Sequence, residues 1–351
     1  MKLISRRRFL GAAGAIAGGM LTGRGVFAAQ EAEGRIMTVL GPIDPKDLGL
    51  TLTHEHCVVD FLGAEKATAP RHNGDEAFQI ILPHLKALRG RGCRSFVECT
   101  PKYIGRDVRL LRRLAQASGL QILTNTGYYG AAGNKFMPKH AYSESADELA
   151  ARWFAEWRDG IEGTGIRPGF IKLGVEKGKL SDLHTKLLRA AARVHLKSGL
   201  AIAIHSGDGE AALDEIRVLG EERVAPSGLI WVHAQNDPGP IQIEAAKRGA
   251  WVSLDGFSEK NRGRYAKFLG SLREAKLLHR VLLSHDHFWS VEGEGERGGL
   301  KLHSGGAETA FVAVFQHLLP DLRASAFSEE EIRQLTVTNP AEAFTVRVRK
   351  L

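Results

Sequence analysis

The chain is 351 residues long, 43% hydrophobic and 25% charged, with a formal net charge of +8. Five basic residues (Lys2, Arg6, Arg7, Arg8 and Arg24) and no acid fall in positions 1–28, so the remainder carries 43 basic against 40 acidic residues, or +3. So weak and scattered a balance gives no basis for a nucleic-acid partner.

Ser5-Arg6-Arg7-Arg8-Phe9-Leu10 is a twin-arginine pattern, followed by an uncharged Ala- and Gly-rich stretch, and Val26-Phe27-Ala28 offers small residues for cleavage after Ala28. The stretch is shorter and richer in Gly than the roughly 20 apolar residues of a membrane span. Residues 1–28 therefore read as a removable signal peptide. The mature protein is expected in the periplasm, or otherwise exported through the twin-arginine pathway, without a stable membrane span. Export of a folded protein suits a metalloenzyme. Cysteines number three, and Cys93 and Cys99 flank a predicted strand that holds their Cα atoms about 20 Å apart, so no structural disulfide is expected.

From residue 35 to 351 no linker or charge block divides the chain, which reads as one domain. Apolar runs recur at Leu50–Thr53, Ser95–Cys99, Gln121–Thr124, Gly169–Leu173, Leu200–Ile204, Leu229–Val232, Ala250–Leu254 and Arg280–Leu283. Helical patterns lie between them, such as Asp107–Ser118, Asp147–Ile161, Ser181–Lys197, Gly209–Leu219, Gln242–Arg248 and Tyr265–Leu278. Continuous apolar strands are buried on both faces, and about eight strand–helix repeats predict an α/β fold closed into a (β/α)8 TIM barrel. An open doubly wound sheet would show a glycine-rich turn after its first strand; here that strand ends in Thr53-His54-Glu55-His56.

Barrel active sites sit at the carboxyl ends of the strands. The first strand places His54 and His56 there, two apart and so on one side of an extended segment. The fourth carries Lys172, the fifth His205, the sixth His233 and the eighth Asp286. A lone His205 or His233 could be a hydrogen-bonded structural residue, Asp286 could cap a helix, and Lys172 could reach solvent at the mouth. Five strands aiming metal-competent groups at the same end of one barrel favour a metal centre.

With these residues in place, the chain resembles the phosphotriesterase family of the amidohydrolase superfamily from about Gly41 onward. Leu52-Thr53-His54-Glu55-His56, the stretch from Gly160 to Lys172, and Thr336-Val337-Thr338-Asn339-Pro340-Ala341 carry the likeness. The resemblance implies two divalent metal ions, usually zinc, bridged by a carboxylated Lys172. One would sit on His54, His56 and Asp286, the other on His205 and His233. It also implies a homodimer and a small-molecule substrate. Two ions about 4 Å apart share a water and lower its pKa; the hydroxide attacks an ester-type bond, and Asp286 takes the proton and passes it to the leaving group.

For the substrate, the resemblance puts at Tyr129 a tyrosine with which lactonase-like members bind a lactone. Acyl-homoserine-lactone hydrolases of the family carry arginine at the position of Gly256, a departure that argues against that substrate. Tyr128, Asn134, Lys177, Asn236 and Trp289 suggest a polar mouth, hence a sugar-type or small lactone. The alternatives are an organophosphate triester or another carboxylic ester. A metal-containing binding protein without catalysis, and a deaminase, are rivals from other classes; the first would be missing a ligand, and the second typically lacks the bridging lysine.

Overall fold

The computed structural model describes residues 32–67, 69–293 and 295–351, so the predicted signal peptide lies outside the described residues. Eight staves follow in chain order: β1 (Thr51–Glu55), β2 (Ser95–Glu98), β3 (Gln121–Leu123, continued by Asn125–Thr126), β4 (Phe170–Gly174), β5 (Ala201–His205), β6 (Leu229–Val232), β7 (Trp251–Leu254) and β8 (Val281–Leu283). All pairings among them are parallel: β1 with β2, β2 with β3, the Asn125–Thr126 continuation with β4, and then each strand with the next to β8. The seam from β8 back to β1 is crossed by Thr53 Oγ1 donating to Leu283 O (3.1 Å), His54 N to Ser284 Oγ (3.0 Å) and Asp286 N to His54 O (3.2 Å). The predicted barrel is the fold.

Period-two alternation then decides what faces the axis. Phe170, Ala201, Ile230, Trp251 and Leu282 point inward and fill the lower barrel with Ile36, Leu48 and Phe344. Their neighbours Ile171, Ile202, Trp231, Val252 and Leu283 point outward into the larger core under the helices. Two or four residues further along the same inward rows stand Lys172, His205 and Asp255. A bulge between Leu52 and Glu55 in β1 shifts the register, so Leu52 packs in the outer core while His54, two residues on, lines the cavity.

The predicted helices form with their caps: α2 (Val108–Ser118) behind Asp107, α3 (Ala146–Asp159) behind a Ser145/Glu148 capping box, α4 (Asp182–Ser198) behind Ser181 and α5 (Gly209–Glu221) behind Asp208. Helix α1 (Gly74–Gly90), with Pro83 in its interior, is not among the stretches read from sequence. Its buried Ala77, Ile81, Leu85 and Leu88 keep helical spacing, but an internal proline argues locally against a helix. Cys57, Cys93 and Cys99 are all free and buried. Among the described residues no helix is long and apolar enough to cross a membrane.

Two side chains fasten the C-terminal segment. Asn339 Nδ2 donates to Leu278 O and Val281 O (2.7 and 2.8 Å), which ties the Thr336–Ala341 motif to the start of β8. His195 on α4 shares a proton with Leu200 O through Nδ1 (2.8 Å), while its Nε2 accepts from Arg349 N (2.9 Å). Acceptance at Nε2 requires the neutral ring, and burial lowers the His195 pKa. The unfolded chain therefore binds the extra proton first. The stabilisation is complete above the ordinary histidine value of about 6.5 and is lost as pH falls below it, at a slope of at most about 1.4 kcal/mol per pH unit. Melting temperature is expected to drop between pH 7 and 5, and His195→Gln, which keeps a donor and an acceptor without titrating, flattens that slope. An unchanged slope in the variant would refute the assignment.

Candidate metal centre

All six residues expected as ligands line one cavity of about 300 Å³ at the carboxyl end of the barrel: His54, His56, Lys172, His205, His233 and Asp286, together with Tyr129. Two of them reach it through unusual backbone. His233 (φ 63°) and Asp286 (φ 62°) sit in the left-handed region just past their strands, which turns their side chains toward the axis. Such conformations cost of order 1 kcal/mol or more for a residue with a Cβ and collect at functional sites.

His54 Nε2 lies 3.2 Å from His56 Nε2, and Asp286 Oδ1 lies 3.3 and 3.1 Å from those two atoms. A tetrahedral ion with bonds of about 2.0–2.1 Å separates its ligand atoms by about 3.3 Å, so the three atoms match one face of such a site. The tautomers fit as well. Thr100 Oγ1 is hydrogen-bonded to Glu98 Oε1 and lies 2.9 Å from His56 Nδ1. With its proton given to the carboxylate, that hydroxyl accepts from Nδ1–H, and the His56 Nε2 lone pair faces the cavity. Burial lowers the His54 pKa to about 4, so its ring is neutral too.

His205 and His233 meet edge to face with ring centroids 4.5 Å apart, and His233 is 5.0 Å from His54. His233 Nδ1 is 2.7 Å from Asp255 Oδ1, while Ser253 Oγ, Gln235 Nε2 and His233 N also donate to that carboxylate. Asp255 is fully buried and orients His233 so that Nε2 looks into the cavity. Sequence reading passed over Asp255, although the inward row Trp251–Ser253–Asp255 pointed to it.

Lys172 is 2% exposed, and among the described residues its only side-chain hydrogen bond runs from Nζ to Leu173 O at 3.2 Å. Among the described residues no carboxylate lies within ion-pair distance of it. Burial pulls its pKa down. Desolvation disfavours an ammonium there and is only partly offset by the more distant Asp286, Asp255 and Glu215, which favours the neutral, nucleophilic amine. Neighbouring Tyr129 packs its ring 5.1 Å from the His205 ring and 5.5 Å from Lys172 Nζ. Burial, then the Asp286 carboxylate, pushes the Tyr129 phenol well above its usual range, so it stays a hydrogen-bond donor.

Glu55, His285 and His287 form a second buried group whose atoms come close together. Their capacity is already committed. Glu55 accepts from Ser284 Oγ, His285 N, His285 Nδ1 and His287 N, while His285 Nε2 and His287 Nδ1 accept from Val314 N and Phe311 N. Burial pushes the Glu55 carboxyl up to about 7, yet only donors converge on it, so this is a clasp built for a carboxylate. It braces the strand end that carries Asp286.

The outer wall of the cavity departs from expectation. Val59, Phe61, Pro101, Ile104, Ala132, Phe136 and Phe288 supply it, with Lys135 as the charged residue at the lip. Tyr128, Asn134, Lys177, Asn236 and Trp289, expected to make a polar mouth, do not line it. Tyr128 is buried against Trp153, and Trp289 against His84 and Phe311. Gly256 is also away from the cavity, and a Cβ there would meet Gln235 Nε2 at 2.7 Å.

A sequence profile described as "Phosphotriesterase family" matches residues 34–344. The chain is 29% identical to the "Phosphotriesterase homology protein" of Escherichia coli, over 84% of this chain and 98% of that one. The organophosphorus hydrolase from Deinococcus radiodurans superposes with a TM-score of 0.78 at 28% identity, covering 89% of this chain and 97% of the other. A solved structure described as organophosphate hydrolysis activity engineered from a weak promiscuous lactonase template gives 0.79 at 28% identity, covering 88% and 99%.

Proposed function

The chain belongs to the phosphotriesterase family, and on that premise we propose that this hydrolase opens small, largely apolar lactones, using a pair of divalent ions held by its six clustered residues. The observation that carries the reading is Lys172: a buried amine with no acid within ion-pair distance among the described residues, set among imidazole nitrogens and a carboxylate spaced as metal ligands. Carboxylation by carbon dioxide would make it a carbamate with two oxygens, one for each ion. His54, His56 and Asp286 would hold one ion, and His205 and His233 the other; imidazole and carboxylate donors suit zinc. When bound, such ions supply Lewis acidity and bring the pKa of a water toward neutrality.

The protein's own groups do the rest. Asp286, whose carboxyl the cavity holds well below its usual pKa through His233 and its bonds to His54 and His56 despite burial, takes the proton released during attack on the ester carbonyl. It then returns that proton to the leaving alkoxide. Tyr129 donates to a lactone oxygen. Phe61, Phe136 and Phe288 exclude water from the ring, which suits an apolar lactone better than the hydroxylated sugar lactone that loop composition suggested. Hydrolysis of a phosphotriester at the same centre is the second reading, favoured by the organophosphorus hydrolase likeness. The twin-arginine pattern extends the proposal to an exported enzyme.

Elemental analysis of the purified chain, with proton release measured on alkyl lactones, sugar lactones and a phosphotriester, tests this. Two metals per chain and highest kcat/KM on an alkyl lactone are expected. Preference for the sugar lactone or the phosphotriester would overturn the substrate assignment, and less than one metal after reconstitution would overturn the centre.

A further inference from the structure

At the cavity lip the chain takes three consecutive left-handed residues, Ala132 (φ 58°), Gly133 (φ 66°) and Asn134 (φ 59°), immediately before Lys135. A left-handed run is costly for L-residues and persists only where its surroundings over-determine it. Here they do. Gly133 N donates to Glu176 Oε1 (2.6 Å), His184 Nε2 donates toward Asn134 Oδ1 (3.1 Å), Lys135 N to Ala132 O (3.3 Å) and Met137 N to Asn134 O (2.9 Å). From the other side Ala64 N donates to Lys135 O (3.0 Å), and the lysine stem lies against Gly63, where a Cβ would meet Lys135 Cγ at 3.2 Å.

This anchored turn sets Ala132 and Lys135 into the cavity wall, with the ammonium 5.8 Å from the Phe136 ring centroid. Among the described residues Lys135 has no carboxylate within ion-pair distance, whereas nearby Lys139 is paired with Glu65 at 3.5 Å. A cation at the rim of an apolar cavity, on a strained and pinned turn, is placed to meet an anion that arrives from outside.

We propose that Lys135 recognises an anionic group of the substrate, which is then an ester or lactone bearing a carboxylate or similar anion beyond an apolar spacer. The inference rests on the ester-hydrolase reading above. The apolar wall takes the spacer, the cluster of histidines and Asp286 takes the scissile ester, and Lys135 takes the charge at the far end.

The test compares the metal-loaded protein with its Lys135→Met, Lys135→Glu and Lys135→Arg variants on two esters of similar length. One is mono-4-nitrophenyl glutarate, with an anionic tail; the other is 4-nitrophenyl pentanoate, with an apolar one. The ratio of kcat/KM for the anionic over the apolar ester is expected to fall roughly fivefold in Lys135→Met, through KM, and further in Lys135→Glu. Lys135→Arg keeps the ratio, and high salt lowers it in the parent protein and in Lys135→Arg but not in Lys135→Met. A ratio identical in all four proteins overturns the proposal. If neither ester is hydrolysed, the ester reading fails, and calorimetric binding of the same two compounds decides about Lys135. Tighter binding of the glutarate that is lost in Lys135→Met upholds it; equal or absent binding overturns it.

Discussion

Asp286→Asn is expected to lower kcat roughly a thousandfold or more while the protein stays folded. Backbone geometry makes Asn the informative replacement. Asp286 sits at φ 62°, in the region where Asn and Asp are the best-tolerated residues after Gly, so the substitution adds no strain. An amide oxygen can still stand where Oδ1 stands now, 3.3 Å from His54 Nε2 and 3.1 Å from His56 Nε2. What Asn cannot do is take up a proton. Kinetics and metal content measured together separate the two duties of this side chain. Metal retained with kcat lost identifies the proton acceptor, whereas metal and kcat lost together make Asp286 chiefly a ligand. Turnover at the parental rate would remove it from the mechanism.

The barrel and the inward-facing site were legible in sequence for one reason: both follow from period and direction. Once strands alternate with helices, topology fixes which strand ends share a face, so His54, His56, Lys172, His205, His233 and Asp286 could be gathered from positions spread over most of the chain. Left-handed turns at His233 and Asp286 were not legible, because neither residue type demands that conformation. Nor was the cavity wall. Phe61 and Phe136 come from loops, and Phe288 from a short strand beyond β8 outside the barrel repeat, so barrel periodicity does not place them, and the loop residues chosen for polarity turned out to face elsewhere. Asp255 lies between these cases. Its inward direction follows from Trp251 and Ser253 by parity, yet its use as the partner of His233 needed coordinates.

Lys172→Met is expected to remove turnover by a similar factor, and its effect on folding should have the opposite sign from most core substitutions. In the metal-free protein Lys172 brings a titratable amine into the barrel interior with one carbonyl as its partner. Met has nearly the same length and no charge to desolvate, so the metal-free variant should melt no lower than the parent and by the buried-charge argument somewhat higher. Metal-loaded, the order reverses. The parent gains stability from ions bound only by the folded state, whereas a variant without the bridging carbamate holds fewer ions and gains less. Three readouts then bear on Lys172 independently of turnover: metal content, the melting-temperature shift on metal addition, and the intact mass, which in the parent should exceed that of the sequence by one carbon dioxide. Short carboxylates supplied in solution to Lys172→Ala, which leaves space where the side chain was, should restore part of the metal binding. Two metals per chain in Lys172→Met would show that the four histidines and Asp286 hold both ions unaided, and the buried amine would then need another explanation.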